Sequence, residues 1–87
     1  MNIVYILRCS DGTFYTGYTT DLNRRIKTHN LKKGSKYTRS RTPVELVFYI
    51  QFQDKSQALR AEIRLKKLTH SQKQLLIEGK LDVDWCI

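Results

Sequence analysis

The chain opens on two short runs of strand-forming residues with an Asp-Gly dipeptide between them, and this arrangement constrains everything that follows. Ile3 to Leu7 is apolar or aromatic at every position, Asp11-Gly12 is a turn signal, and Thr13 to Tyr18 is rich in Thr and aromatics. The segment is therefore predicted to form a β-hairpin. Both faces of the first run are apolar, which marks it as a central strand.

The rest of the chain supplies the other elements. Thr20 or Asp21 can cap a helix through about Asn30, in which Leu22 and Ile26 form an i, i+4 apolar pair. Leu31 to Thr42 holds Gly34, many charges and little periodicity, and reads as a basic loop or a short, poorly defined helix. Val44 to Phe52 sets Val44, Leu46, Phe48, Ile50 and Phe52 on one face at period two, as a strand does. Asp54 or Ser56 can start a helix to about Leu68. Ser71 and Gln74 have capping-box spacing ahead of Leu75-Leu76-Ile77, with Gly79 as a stop. The order strand, strand, helix, basic segment, strand, helix, helix predicts an α+β fold, a small antiparallel three-stranded sheet flanked by helices. With no repeat, linker or composition shift, a single domain over residues 1–87 is expected.

Charge narrows the function. Sixteen Lys and Arg stand against eight Asp and Glu, a formal charge of +8, and half of the basic residues fall between Asn23 and Thr42 with no acid among them. Arg24, Lys27, Lys32, Lys33, Lys36, Arg39 and Arg41 form the outward part of this patch. Clustered cations gain affinity for phosphates by releasing condensed counterions, so nucleic acid is the expected partner, ahead of a merely solvated surface. A membrane partner is not expected, because no amphipathic helix carries Trp, Phe and Leu on one face and no apolar run is long enough to span a bilayer. The opening residues lack the features of a signal peptide, so a soluble, cytoplasmic protein is expected. Cys9 and Cys86 are expected to be reduced thiols, since two cysteines make neither a disulfide framework nor a structural zinc site. An 87-residue chain also has little core in which to enclose a large cofactor.

Helical wheels place three polar residues where apolar ones belong. Arg25 and His29 fall on or beside the arc of Leu22 and Ile26, while Arg24, Lys27 and Thr28 point away. In the second helix Ala58, Leu59, Ile63 and Leu65 mark the apolar side and Glu62 falls within it, with Arg60, Arg64 and Lys67 opposite. Buried charges cost several kcal/mol unless compensated. Either Glu62 pairs with Arg25 or with Lys66, or these side chains form a site. A carboxylate can hold a hard divalent cation, an Arg can grip a phosphate and a His can pass a proton, which together suit phosphodiester cleavage.

Ile3-Val4-Tyr5, Tyr15-Thr16-Gly17, and then Arg25, His29 and Glu62 on successive helices resemble the signature of the GIY-YIG nuclease family. Ile3 stands where the first motif has Gly, and Thr16 where the second has Ile. Gly34-Ser-Lys-Tyr37-Thr38 and Arg41-Thr-Pro43 further resemble the small stand-alone bacterial branch of that superfamily. The resemblance implies a metal-dependent endonuclease acting on DNA ahead of RNA, with Tyr5, Tyr15, Arg25, His29 and Glu62 as catalytic residues and Gly17 in a structural role. It implies that Glu62 binds one Mg²⁺ or Mn²⁺, weakly without substrate, that Arg25 contacts the scissile phosphate, and that Tyr5 activates or orients water with Tyr15 and His29 assisting. The alternatives are a nucleic-acid-binding module of the same fold with little or no catalysis, and a small interaction protein in which Arg25 and Glu62 form a structural ion pair. A shared tyrosine site carries a register requirement. A two-residue turn at Asp11-Gly12 would pair Arg8 with Tyr15 and put Tyr15 on the face opposite Tyr5, so an odd loop or a Gly12-centred bulge is predicted.

Overall fold

The computed structural model describes residues 1–83. Seven elements follow in order: β1 (Asn2–Arg8), β2 (Phe14–Thr19), α1 (Leu22–Asn30), α2 (Lys36–Arg39), β3 (Glu45–Phe52), α3 (Lys55–Lys67) and α4 (His70–Ile77). The strands form one antiparallel sheet in the order β2-β1-β3, so the strand that holds the Ile3 to Leu7 run is central as expected. Cys86 lies outside the described residues, and Cys9 is a buried free thiol. Among the described residues no helix is long and apolar enough to cross a membrane.

The hairpin has the irregularity that a shared tyrosine face requires. Arg8 pairs with Phe14 and Leu7 with Tyr15. The Cys9 N–H donates to the Thr13 carbonyl at 2.8 Å, leaving a three-residue loop of Ser10, Asp11 and Gly12. Gly12 closes it at φ +84°, left-handed backbone that a side chain would disfavour. Asp11 fastens the loop: its Oδ1 accepts from the Thr13 hydroxyl at 2.6 Å and backbone N–H at 3.1 Å, and its Oδ2 meets Arg41 Nε at 3.0 Å. The hydrogen bond from the Thr13 hydroxyl is the main reason that the Asp11 carboxyl sits below its usual range.

Both faces of β1 are covered. Val4 and Ile6 join Phe14, Ala58, Ala61, Leu65 and Leu76 in one core. Tyr5, Leu7, Cys9 and Val44 form the other, with Leu22, Ile26 and Tyr15 packed against it. Helices α1 and α3 thus sandwich the sheet, and burying an aliphatic side chain such as Ile6 or Leu7 stabilises the fold by roughly 1.5–3 kcal/mol.

Three local expectations need correction. First, β3 does not keep its five apolar residues on one face. A bulge at Val47 pairs Ile6 with Phe48 but Leu7 with Leu46, so Val44 and Leu46 pack with the Tyr5 core, and Phe48, Ile50 and Phe52 with the other. Second, the buried stripe of α3 is Ala58, Ala61 and Leu65, while Leu59 and Ile63 are 37% and 54% exposed. Small residues at i and i+3 let the helix lie close to the sheet, which moves Glu62 from the middle of the apolar arc to its margin. Third, the capping box of α4 is Thr69 with Gln72, not Ser71 with Gln74. The Thr69 hydroxyl accepts from Gln72 N–H at 3.1 Å and the Gln72 side chain accepts from Thr69 N–H at 2.9 Å. Gly79, at φ +76°, follows the helix end as expected.

Candidate active site

The site grows out of the hairpin register. Tyr5 pairs with Gly17 across β1 and β2, and Leu7 pairs with Tyr15, so the two tyrosines and Gly17 share the face that packs on α1. A Cβ on Gly17 would come within 2.5 Å of the Tyr5 hydroxyl, so only glycine leaves room for that phenol to cross β2.

From α1, capped by Asp21 accepting from Arg24 N–H at 3.2 Å, Arg25 and His29 reach the same phenol. Arg25 Nε donates to the Tyr5 hydroxyl at 3.4 Å, and Arg25 Nη2 donates to the Gly34 carbonyl at 3.2 Å. His29 Nε2 lies 3.0 Å from the Tyr5 hydroxyl, and His29 Nδ1 lies 2.9 Å from Thr38 Oγ1. Tyr5, His29 and Thr38 are all fully buried. The Tyr15 ring stands 5.0 Å from the His29 ring and 6.4 Å from that of Tyr5.

Burial, reinforced by the charge of Arg25, lowers the His29 pKa to about 4, so the imidazole is neutral at pH 7. One proton arrangement then satisfies every group. Arg25 donates to the Tyr5 oxygen, Tyr5 donates to His29 Nε2, His29 Nδ1–H donates to Thr38 Oγ1, and Thr38 is left to donate toward Ser35, whose Oγ lies 3.1 Å away. Burial also pushes the Tyr5 phenol above its usual range, opposed by the Arg25 hydrogen bond and aided by the charges of Tyr15 and Glu62.

Glu62 stands at the margin. Its side chain is 18% exposed and its carboxylate is 3.5 Å from Lys66 Nζ, so of the two expected pairings the one with Lys66 forms. No ion pair joins Arg25 to Glu62 among the described residues. Nor is there a group of three His, Cys, Asp or Glu side chains able to enclose a metal. Glu62 alone offers a carboxylate here, so a hard divalent ion would need water and phosphate oxygens for the rest of its shell and would have to displace Lys66 from it.

In the basic patch, Arg24, Lys27, Lys32, Lys33, Lys36 and Arg39 are exposed. Arg41 differs from the patch expectation. It is tied to Asp11 and to the Tyr37 carbonyl and lies over the Tyr37 ring at 4.2 Å, so it clasps the hairpin loop to α2.

Sequence reasoning missed three contributors. Thr38 lies in α2, the short helix within the basic segment, and Ser35 precedes it as the N-cap, its hydroxyl accepting from Thr38 N–H at 3.1 Å. Gly34 passes directly over the His29 ring, where a Cβ would collide with Nδ1. The Ser-x-x-Thr spacing after a glycine was a capping signal for a helix too short to show periodicity.

Fold and site together define a small α+β domain carrying an enclosed Tyr-His-Arg cluster on one face of a three-stranded sheet. A family model described as the GIY-YIG catalytic domain matches residues 1–75. The chain belongs to the GIY-YIG family. It is 54% identical to the UPF0213 protein VNG_2274C of Halobacterium salinarum over 87% of this chain and 99% of that one. It is 51% identical to the UPF0213 protein YazA of Bacillus subtilis, over 87% and 77% respectively. The relatives thus include archaeal as well as bacterial proteins, a wider range than the bacterial branch it resembles. Two solution NMR structures share the fold. The UPF0213 protein BH0048 of Bacillus halodurans is 51% identical with TM-score 0.60, over 92% of this chain and 86% of that one. The protein EF2693 of E. faecalis is 42% identical with TM-score 0.61, over 95% and 90%.

Proposed function

We propose that this protein is a metal-dependent endonuclease that hydrolyses phosphodiester bonds, in DNA ahead of RNA. The observation that carries the reading is the Tyr5 hydroxyl held between the Arg25 guanidinium and a neutral His29. A phenol is a weak base, and it activates water only where its proton has somewhere to go and its anion is stabilised. The hydrogen bond to His29 Nε2, with Thr38 orienting the ring, directs the phenol, and Arg25 stabilises negative charge on its oxygen. His29, its pKa held at about 4, is too weak a base to take the phenol proton in the free protein, so that proton leaves only once substrate is in place. The remaining N–H groups of Arg25 and the hydroxyl of Tyr15 would then contact the phosphate. Glu62 would hold one Mg²⁺ or Mn²⁺, which when bound supplies charge stabilisation at the phosphate and the leaving 3′ oxygen. In-line attack by water then leaves a 5′ phosphate and a 3′ hydroxyl. Tyr5 is enclosed in the free protein, so its half-buried neighbours, Arg25 and Tyr15 among them, must shift as substrate docks.

Nicking of supercoiled plasmid tests the reading. Wild type is expected to nick with Mg²⁺ or Mn²⁺ and not with EDTA, and Glu62→Ala to lose nearly all activity. Cleavage that survives EDTA or the substitution would overturn it. A nucleic-acid-binding module with little or no catalysis is the second reading, favoured by the Lys66 ammonium that occupies Glu62. It predicts binding without nicking under every metal condition.

A further inference from the structure

Next to Tyr15 lies an open cleft of about 240 Å³ that the 24–41 patch does not account for. Phe14, Tyr15 and Thr16 of β2, Tyr37 of α2, Lys66 of α3 and Lys73 of α4 line it. Lys73 is half-buried, yet no acidic side chain pairs with it among the described residues. Lys66 lines the same cleft with the same sign: burial first, and then Lys66, holds the Lys73 ammonium below the usual lysine range. Lys66 shares its own charge with Glu62 at 3.5 Å. On the same cleft, Thr16 is 5% exposed and its Oγ1 has no hydrogen-bond partner. A partly desolvated ammonium facing a second ammonium is unfavourable as it stands, and a bound anion removes both the repulsion and the missing counter-charge.

We infer that this cleft is a phosphate subsite, which takes a backbone phosphodiester of the strand next to the one at the Tyr5 cluster, with Lys73 as its main contact and Lys66 as its second. The subsite rests on the nucleic-acid reading above, whether or not the protein cleaves. Its aromatic walls and its continuity with Tyr15 suit a polymer passing through rather than free phosphate. An anion here also gives the half-occupied Lys66 a partner beyond Glu62.

Fluorescence anisotropy with labelled DNA and RNA oligonucleotides, single- and double-stranded, over a salt series tests this on the full chain. Lys73→Gln is expected to weaken binding several-fold and to reduce the slope of log affinity against log salt by about 0.7–0.9. Lys73→Arg is expected to retain binding, and Lys55→Gln, exposed on the first turn of α3, to bind as wild type. Replacing single phosphates by neutral methylphosphonates should reveal one position that weakens wild type and leaves Lys73→Gln unaffected. Inorganic phosphate should compete only weakly. If Lys73→Gln and Lys66→Gln both keep wild-type affinity and slope while reversal of the 24–41 patch still weakens binding, the subsite is wrong and the nucleic-acid reading stands. A loss in Lys73→Gln with no methylphosphonate position in common also overturns the subsite. If wild type binds no oligonucleotide, both readings fall.

Discussion

His29 carries a pH signature that isolates its role. Its pKa is about 4 in the folded chain against an ordinary value near 6.5. Between those values the unfolded chain binds the extra proton and the folded chain does not, so stability rises with pH across that window. It is complete above about pH 6.5, declines as pH falls toward 4, and the loss amounts to on the order of 3 kcal/mol for this group. Urea unfolding of wild type and His29→Gln from pH 7 to pH 4 checks this; equal slopes in the two proteins would remove the buried imidazole from the account. Thr38 gives a second expectation, because Thr38→Val leaves His29 Nδ1 buried without its partner. That costs about 1–3 kcal/mol. Gly17→Ala drives a methyl into the Tyr5 hydroxyl, and loss of the Tyr5–His29 hydrogen bond should appear as an altered His29 ring resonance in NMR, together with loss of any nicking activity.

Element ends hold the geometry that those residues need. The three-residue hairpin loop sets which face Tyr15 occupies, and Gly12 makes it possible. Gly12→Ala is expected to destabilise by about 1–2 kcal/mol, seen as a lower urea midpoint at unchanged m-value. The opposite change is available after α1. Lys32 sits at φ 65° just past the helix, where its N–H donates to the His29 carbonyl and that of Lys33 to the Thr28 carbonyl. A glycine suits that position better. Lys32→Gly should therefore stabilise by about 0.5–1 kcal/mol and raise Tm by a few degrees; a lower Tm would show that the lysine stem contributes packing there. The bulge at Val47 and the Ala58–Ala61–Leu65 stripe explain why two sequence expectations went astray. Period two counts residues as if each had a partner, and a bulge adds one that does not. A wheel centres on large side chains, whereas α3 approaches the sheet through alanines.

At the scale of the molecule, the net charge of +8 becomes a surface property with a measurable slope. Reversing Lys32, Lys33, Lys36 and Arg39, all exposed, should weaken nucleic-acid binding by orders of magnitude and flatten its salt dependence. Binding that is insensitive to these changes would separate the patch from function. The chain order of the elements, the central position of β1, the caps of α1 and α3 to within a choice of two residues each, and the inward turn of Arg25 and His29 were legible beforehand. They depend on local spacing, on apolar periodicity and on the preferences of individual residues. The three-residue loop was legible only as a condition, once both tyrosines were required on one face. Tertiary packing alone decided the rest: that Thr38 backs His29, that Glu62 pairs with Lys66 rather than Arg25, that Arg41 clasps a loop, and that Lys66 and Lys73 converge beside Tyr15. Apart from the i, i+4 pair within α3, those contacts join α2 to α1, α3 and α4 to β2, and the hairpin loop to the segment after α2. Periodicity fixes the face on which a side chain lies, but its neighbour across space depends on how close two elements approach and at what angle, and that is settled by the small residues, bulges and glycines where the layers meet.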